Sequence, residues 1–145
     1  MSSAKTNKKM SPRRRARAAA VQSLYQLELK QHTVSDVCAH TLEYYADESQ
    51  KIDDDYFVVL VNGVMEHIGN IDKLMAVKLD RDSSLLTPVE LAVLRLAVFE
   101  LKYRLDVPSP VVINEALELA KSFGTDDGYK YINGVLDALL PSLRS

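Results

Sequence analysis

The segment that most constrains the fold is residues 90–105, ELAVLRLAVFELKYRL, because apolar residues occupy most of the circumference it would have as a helix. Thr87, Pro88 and Glu90 precede or open it with the spacing of a capping box and a proline at the first helical position. A helix that is apolar nearly all round has to be surrounded by other elements. The sequence therefore predicts a central buried helix with further helices packed around it.

The remaining segments also carry the helical period, and none forms a convincing strand. Ser11 and Pro12 open the helix-forming stretch RRRARAAAVQSLYQLELK, and residues 56–71 form a second segment that is apolar nearly all round. Residues 111–140 fit two helices joined by a polar elbow at residues 122–128. We predict an all-α fold, a compact bundle of six to seven helices.

Helical spacing also assigns faces to the first two helices. In the first, one line joins an arginine to a tyrosine over small residues: Arg14, Ala18, Val21 and Tyr25. In the second, predicted over residues 34–45, four residues are expected to face inward: Val37, Thr41, Tyr44 and Tyr45. The first pattern predicts that the arginines lead onto a structured surface.

A short repeat suggests that the bundle has two halves. The triplet at residues 62–64, Asn-Gly-Val, recurs at residues 133–135, in both cases within a predicted helix. A glycine inside a helix costs about 1 kcal/mol unless a neighbouring helix needs the space. We therefore expect two packed three-helix units, with a close helix crossing at Gly63 and another at Gly134.

Charge is distributed unevenly along the 145 residues, a length typical of one domain. Seven of the 18 basic residues and none of the 20 acidic ones lie within residues 1–17. We predict a flexible basic N-terminal arm at residues 1–11 and a single helical domain at residues 12–145. Such an arm suits a polyanionic partner, although a tail that only keeps the protein soluble has the same composition.

Several function classes find no support in the sequence. The single cysteine, Cys38, excludes an internal disulfide and a cysteine-clustered zinc site, and no two histidines stand at zinc spacing. Asp53–Asp55 lack the alternating spacing of a calcium loop, and no phosphate-binding loop or activated nucleophile is recognisable. We expect no metal, no cofactor and no enzymatic activity. Without a signal peptide or membrane span, a cytoplasmic protein is expected.

Three segments carry a resemblance to a known family: RRRARAAAVQSLYQLEL, TPVELAVLRLAVFEL and VINEALELAKSFGTDDGYKYINGVLD. They closely resemble the bacterial transcription antitermination factors of the NusB family, in the same order and spacing over nearly all of residues 12–140. The resemblance implies a helical protein that binds single-stranded boxA RNA in nascent transcripts, notably of ribosomal RNA operons. It also implies a partner, the ribosomal protein NusE, and a transcription elongation complex with other Nus factors.

The resemblance further nominates individual residues. Those implied to contact RNA are the arginine turn (Arg13, Arg14, Arg15 and Arg17) together with Tyr25, Asp127, Lys130 and Tyr131. Arginines would neutralise phosphates and aromatic rings would stack on unpaired bases. Three roles stay open, because Tyr131 and Tyr25 also suit packing positions and Asp127 suits a helix cap. Glu90, first a capping-box residue, is a secondary candidate for contact with NusE.

Two other functions fit the same pattern. The chain could be a helical protein-interaction module whose basic arm binds an acidic partner. It could also be a stand-alone relative of the RNA-binding domain of a ribosomal RNA cytosine methyltransferase. Binding of a short boxA RNA, with and without NusE, distinguishes these functions from antitermination. Oligomeric state and RNA affinity without NusE do not follow from the sequence.

Overall fold

The computed structural model describes residues 10–29, 32–46, 50–79 and 86–144. Most of the predicted basic arm, residues 1–9, lies outside these ranges. The described residues form seven α-helices and no strand: α1 (Pro12–Leu29), α2 (Val34–Tyr45), α3 (Asp54–Glu66), α4 (Ile68–Ala76), α5 (Pro88–Tyr103), α6 (Ser109–Phe123) and α7 (Asp126–Leu143). The prediction of an all-α bundle is confirmed. None of these helices is both long and apolar enough to cross a membrane.

The central helix is α5, which packs against α1, α3, α4, α6 and α7. Its inner residues, including Leu94, Leu96 and Leu101, are buried. The predicted capping box begins it: the backbone N–H of Glu90 donates to Thr87 Oγ1 at 3.2 Å, and that of Thr87 donates to Glu90 Oε1 at 2.9 Å. These two bonds satisfy amide groups that the first helical turn leaves without partners.

Two three-helix units make up most of the bundle. Helices α1, α2 and α3 pack against one another, and so do α5, α6 and α7, while α1 lies against α5 between the units. The small residues Ala16, Ala19 and Ala20 are fully buried on α1 and let neighbouring helices approach it closely. The remaining helix, α4, belongs to neither unit and packs mainly on α5.

Two expectations about helix boundaries and faces were wrong. Residues 56–71 do not form one helix, because α3 ends at Glu66 and α4 begins at Ile68. The residue between them, His67, stacks on the ring of Tyr103 with centroids 4.1 Å apart, a tertiary contact that no local pattern encodes. On α2, Tyr44 is 76% exposed instead of facing inward.

The other inward residues of α2 behave as expected. Val37 and Thr41 are buried, and the Ser23 hydroxyl of α1 donates to Thr41 Oγ1 at 2.7 Å. Cys38 is buried beside them, and burial raises the pKa of its thiol. In contrast, the predicted line from Arg14 to Tyr25 is interrupted, since the intervening Ala18 and Val21 are buried.

The two repeated glycines have different surroundings. A methyl group added at Gly63 would overlap the ring of Phe99, so α3 and α5 cross closely at this point, as predicted. A methyl group at Gly134 would meet nothing within 4 Å. The predicted second close crossing is therefore wrong, because Gly134 lies on the exposed face of α7.

We predict opposite effects of alanine at the two glycines. Gly63→Ala forces the Phe99 ring to move and should lower the free energy of unfolding by about 1–3 kcal/mol. Gly134→Ala only increases helix propensity and should raise the free energy of unfolding by up to about 1 kcal/mol. Urea denaturation of both variants measures the difference, and equal effects would contradict the close crossing at Gly63.

Candidate nucleic-acid interface

The arginine turn lies at the start of α1. The backbone N–H of Arg14 donates to Ser11 Oγ at 3.1 Å, so Ser11 caps the helix that begins at Pro12. Successive residues of an α-helix are about 100° apart, so the four arginines point toward different neighbours. Each one consequently has a different degree of burial and a different partner.

Arg17 is the buried member of the turn. It is only 4% exposed, and its Nε and Nη2 atoms donate to the carboxylate of Glu100 at 3.0 and 2.9 Å. The Tyr56 hydroxyl donates to the same carboxylate. Burial alone would lower the pKa of Arg17, but the hydrogen bond and charge of Glu100 outweigh it and raise that pKa. This position leaves Arg17 almost no surface for an RNA phosphate, unlike the exposed position expected for it.

Arg13 has the most exposed side chain of the arginines in ion pairs on α1, at 43%. Its guanidinium carbon lies 3.8 Å from the centre of the Tyr56 ring, a cation–π contact that orients the side chain. Its Nε atom is 3.8 Å from the carboxylate of Asp53, which caps α3. This long and exposed ion pair contributes little, so the guanidinium can bind a phosphate without losing a strong partner.

Arg14 faces α6. Its Nε and Nη2 atoms donate to the two carboxylate oxygens of Glu115 at 2.9 and 2.7 Å, and this bond raises the pKa of Arg14. Among the described residues, its Nη1 atom has no hydrogen-bond partner. Glu115 therefore fixes the guanidinium by one edge while the donors of the other nitrogen remain available.

Arg15 faces α2. Its Nη2 atom donates to the carbonyl oxygen of Tyr45 at 2.7 Å, and its guanidinium carbon lies 5.2 Å from the centre of the Tyr45 ring. Carbonyl groups in the last turn of a helix lack partners within the helix, so this bond caps the end of α2. Arg15 is half-buried and links the first two helices.

The elbow between α6 and α7 is shorter than predicted. Helix α6 ends at Phe123 and α7 begins at Asp126, so only Gly124 and Thr125 separate them. Thr125 is the cap of α7, since its hydroxyl accepts from the backbone N–H of Gly128 at 2.9 Å. Of the two roles left open for Asp127, the helix cap is therefore filled by Thr125 instead. Asp127 is exposed in the first turn, where the helix dipole favours an acid.

The buried side chain of Glu90 holds the elbow in place through hydrogen bonds to Thr125. Its carboxylate accepts from the backbone N–H of Thr125 at 2.5 Å and from the Thr125 hydroxyl at 3.1 Å, besides its capping bond with Thr87. A methyl group added at Gly124 or Gly128 would overlap this carboxylate, so a side chain at either position would displace Glu90. Burial alone would raise the pKa of Glu90, but the hydrogen bonds from Thr87 and Thr125 lower it. Glu90 is fully buried, whereas a contact with NusE was expected at the surface.

The elbow borders an open cavity of about 370 Å³, lined by Lys121, Gly124, Thr125, Asp126, Tyr129 and Lys130. Lys130 is exposed, as expected of a residue that contacts RNA. Tyr131 is half-buried and packs against the hydrophobic core, while Tyr25 is 36% exposed on α1. Tyr25 and Tyr131, both nominated from the sequence, are therefore partly exposed.

Two lining residues were missed by the sequence analysis. The ammonium group of Lys121 lies 5.1 Å from the centre of the Tyr129 ring, across the elbow. Lys121 belongs to the last turn of α6 and Tyr129 to the first turn of α7. An elbow of only two residues brings these turns together, so a correct elbow length would have identified the pair.

A series of side-chain contacts along α6 joins the arginine turn to the elbow. Arg14 binds Glu115, and the charge of the neighbouring Glu118 also raises the pKa of Arg14. Glu118 lies 3.9 Å from Lys121, which in turn lies over Tyr129. We name this connected set the α6 ladder: Arg14, Glu115, Glu118, Lys121 and Tyr129. It places positive groups at both ends and carboxylates between them.

Sequence comparisons identify the relatives of this chain. The sequence profile of the NusB family matches residues 14–141. A protein of Mannheimia succiniciproducens named transcription antitermination protein NusB is 51% identical over 137 residues, which cover 94% of each chain. A protein of the same name from Pasteurella multocida is 47% identical over 144 residues, covering 99% of this chain and 98% of the relative. The chain belongs to the NusB family.

Solved structures agree with this assignment. A structure described as T. maritima NusB is 33% identical, with a TM-score of 0.77 over 92% of this chain and 93% of that chain. A structure described as antitermination factors NusB and NusE in complex with dsRNA is 25% identical, with a TM-score of 0.78 over 89% of this chain and 96% of that chain. The resemblance to the NusB family found in the three segments is thus confirmed.

We predict that two arginines of the turn differ in their effect on stability. Arg17→Ala leaves Glu100 buried without its charge partner and should lower the free energy of unfolding by about 3–5 kcal/mol. Arg13→Ala removes an exposed ion pair and a partly exposed cation–π contact, and should cost about 1 kcal/mol or less. Urea denaturation at neutral pH compares them. A loss for Arg17→Ala as small as that for Arg13→Ala would contradict the structural role of the buried pair.

Proposed function

We propose that this chain is a transcription antitermination factor that binds single-stranded boxA RNA in nascent transcripts, notably of ribosomal RNA operons, together with NusE. The bound complex would act in the cytoplasm with other Nus factors to promote read-through by RNA polymerase. The proposal draws on the name that its relatives share and on a related structure described with NusE and dsRNA. The relatives are named as an antitermination protein, so the chain is not an enzyme.

The observation that carries the proposal is the α6 ladder. It connects the arginine turn to Lys121 and the Tyr129 ring at the elbow through side-chain contacts along α6. Glu115 and Lys121 are six positions apart, about 9 Å along a helix at 1.5 Å per residue. This distance is short enough for a single strand of RNA to contact both ends of the ladder.

The ends of the ladder suit phosphates and its centre suits bases. At one end Arg13 and the free Nη1 donors of Arg14 can neutralise phosphates, with Arg15 beside them. At the other end Lys121 and Lys130 provide further positive charge. Glu115 and Glu118 repel phosphates but can accept hydrogen bonds from the amino groups of bases. This charge pattern favours a register in which phosphates lie at the ends of the ladder.

Aromatic and acidic residues at the elbow supply base contacts in this proposal. The Tyr129 ring borders the open cavity and can stack on an unpaired base, with Tyr131 and Tyr25 as further candidates. The exposed carboxylate of Asp127 can accept a hydrogen bond from a base amino group. Arg17 and Glu90 are left out of the contact set, because both are buried and act on the position of their neighbours.

Fluorescence anisotropy with labelled RNAs tests the proposal. We expect single-stranded boxA RNA to bind more tightly than a scrambled strand or a boxA duplex, with the preference largest when NusE is present. The duplex is included because the related complex was described with dsRNA. An equal affinity for boxA and scrambled RNA in the presence of NusE would refute the antitermination proposal.

Single substitutions distinguish phosphate contacts from base stacking. Arg13→Ala should weaken binding and reduce the slope of log affinity against log salt by about 0.7, the value for one phosphate of a single strand. Tyr129→Ala should cost about 1–3 kcal/mol with little change in slope, because stacking carries no charge. Lys78→Ala, an exposed lysine after α4, is the matched control and should bind like the wild type.

A further inference from the structure

A second groove lies between α1 and α2. Two cavities form it, of about 330 and 310 Å³. The first is lined by Gln26, His32, Asp36, Val37 and His40, and the second by Gln22, Gln26, His40, Thr41 and Tyr44. Because Gln26 and His40 border both cavities, the two form one continuous surface, which we name the α1–α2 groove.

The lining of the groove is polar with little formal charge. Gln22 and Gln26 each carry an amide that both donates and accepts hydrogen bonds, and the imidazoles of His32 and His40 add further polar nitrogens. Asp36 is its acidic residue. Such groups match the donor and acceptor edges of unpaired bases, whereas a groove for phosphates would require Lys or Arg. They also match a helical protein partner poorly, since such partners dock an apolar face into an apolar groove.

Tyr44 gives the groove an aromatic surface. Its ring is 76% exposed, and it meets the Tyr45 ring edge-on, with centroids 5.5 Å apart and an angle of 71°. The contact restrains the ring, and most of the Tyr44 side chain remains exposed. A restrained and exposed tyrosine beside polar side chains is the arrangement on which unpaired bases stack.

The groove is continuous with the proposed RNA surface. Arg15 holds the Tyr45 carbonyl oxygen at 2.7 Å and lies over the Tyr45 ring, and Tyr45 contacts Tyr44. Arg14, one position earlier, binds Glu115 on the α6 ladder. The arginine turn thus stands between the two surfaces, so a strand that leaves the ladder across the arginines arrives at Tyr44.

We propose that the α1–α2 groove binds the single-stranded RNA that flanks boxA, with one base stacked on Tyr44 and its neighbours bonded to Gln22, Gln26 and His40. This inference rests on the proposed function, because it requires boxA to occupy the ladder. It assigns RNA contacts to residues of α2, which lie outside the set nominated from the sequence.

The test compares the boxA core with the same RNA extended by about six uridines at its 5′ or its 3′ end, a length within the range that single-strand sites cover. Wild-type protein should bind one extended RNA more tightly than the core. Tyr44→Ala should remove this gain, a loss of about 5- to 150-fold for that RNA, and leave affinity for the core unchanged. Tyr44→Phe keeps the ring and should keep the gain. Leu105→Ala is the control, an exposed apolar residue between α5 and α6.

The outcomes separate the two proposals. If the core binds but neither extension adds affinity, or if Tyr44→Ala retains the gain, the groove proposal is overturned and the proposed function stands. If Tyr44→Ala weakens binding of NusE in the absence of RNA, the groove is a protein surface and the inference is also overturned. If the core itself is not preferred over a scrambled strand, both proposals fall.

Discussion

The buried ion pair between Arg17 and Glu100 is the interaction on which the rest of the structure depends. With the Tyr56 hydroxyl bonded to the same carboxylate, it ties α1, α3 and α5 together at the contact between the two three-helix units. Removing one partner of such a pair leaves a buried charge, so the pair fixes α1 against α5. The Arg17–Glu100 pair also sets the positions of the exposed arginines, because they belong to the same helical turn as Arg17.

Helix α5 supports the elbow in the same way. Glu90 and Glu100 are both buried acids on this helix, ten positions apart, which is about 15 Å along its axis at 1.5 Å per residue. Glu100 binds Arg17 of the arginine turn, and Glu90 binds Thr125, the cap of α7. The separation between the arginine end and the elbow end of the proposed RNA surface is therefore set by one rigid helix rather than by loops, as precise recognition requires.

Much of this fold follows from the sequence, because its signals are local. The capping box at Thr87 and the apolar circumference of α5 were enough to predict the central helix. The separation of the arginine turn into a buried Arg17 and an exposed Arg13 was not predictable, because Arg17 is distinguished by its bond to Glu100, 83 positions away. The Lys121–Tyr129 contact depended on an elbow two residues long, and the exposure of Tyr44 depended on how α2 rotates against α1. These features arise from packing between helices, which the periodicity of a single segment does not encode.

The roles of the arginines are tested most directly by an NMR titration that follows the Nε–H signals of their side chains as boxA RNA is added in the presence of NusE. We expect the signals of Arg13 and Arg14 to shift with RNA and that of Arg17 to stay in place, because Glu100 holds Arg17 in the core. A shift of the Arg17 signal as large as theirs, or no shift at Arg13 and Arg14, would contradict the division between a structural arginine and RNA-binding arginines.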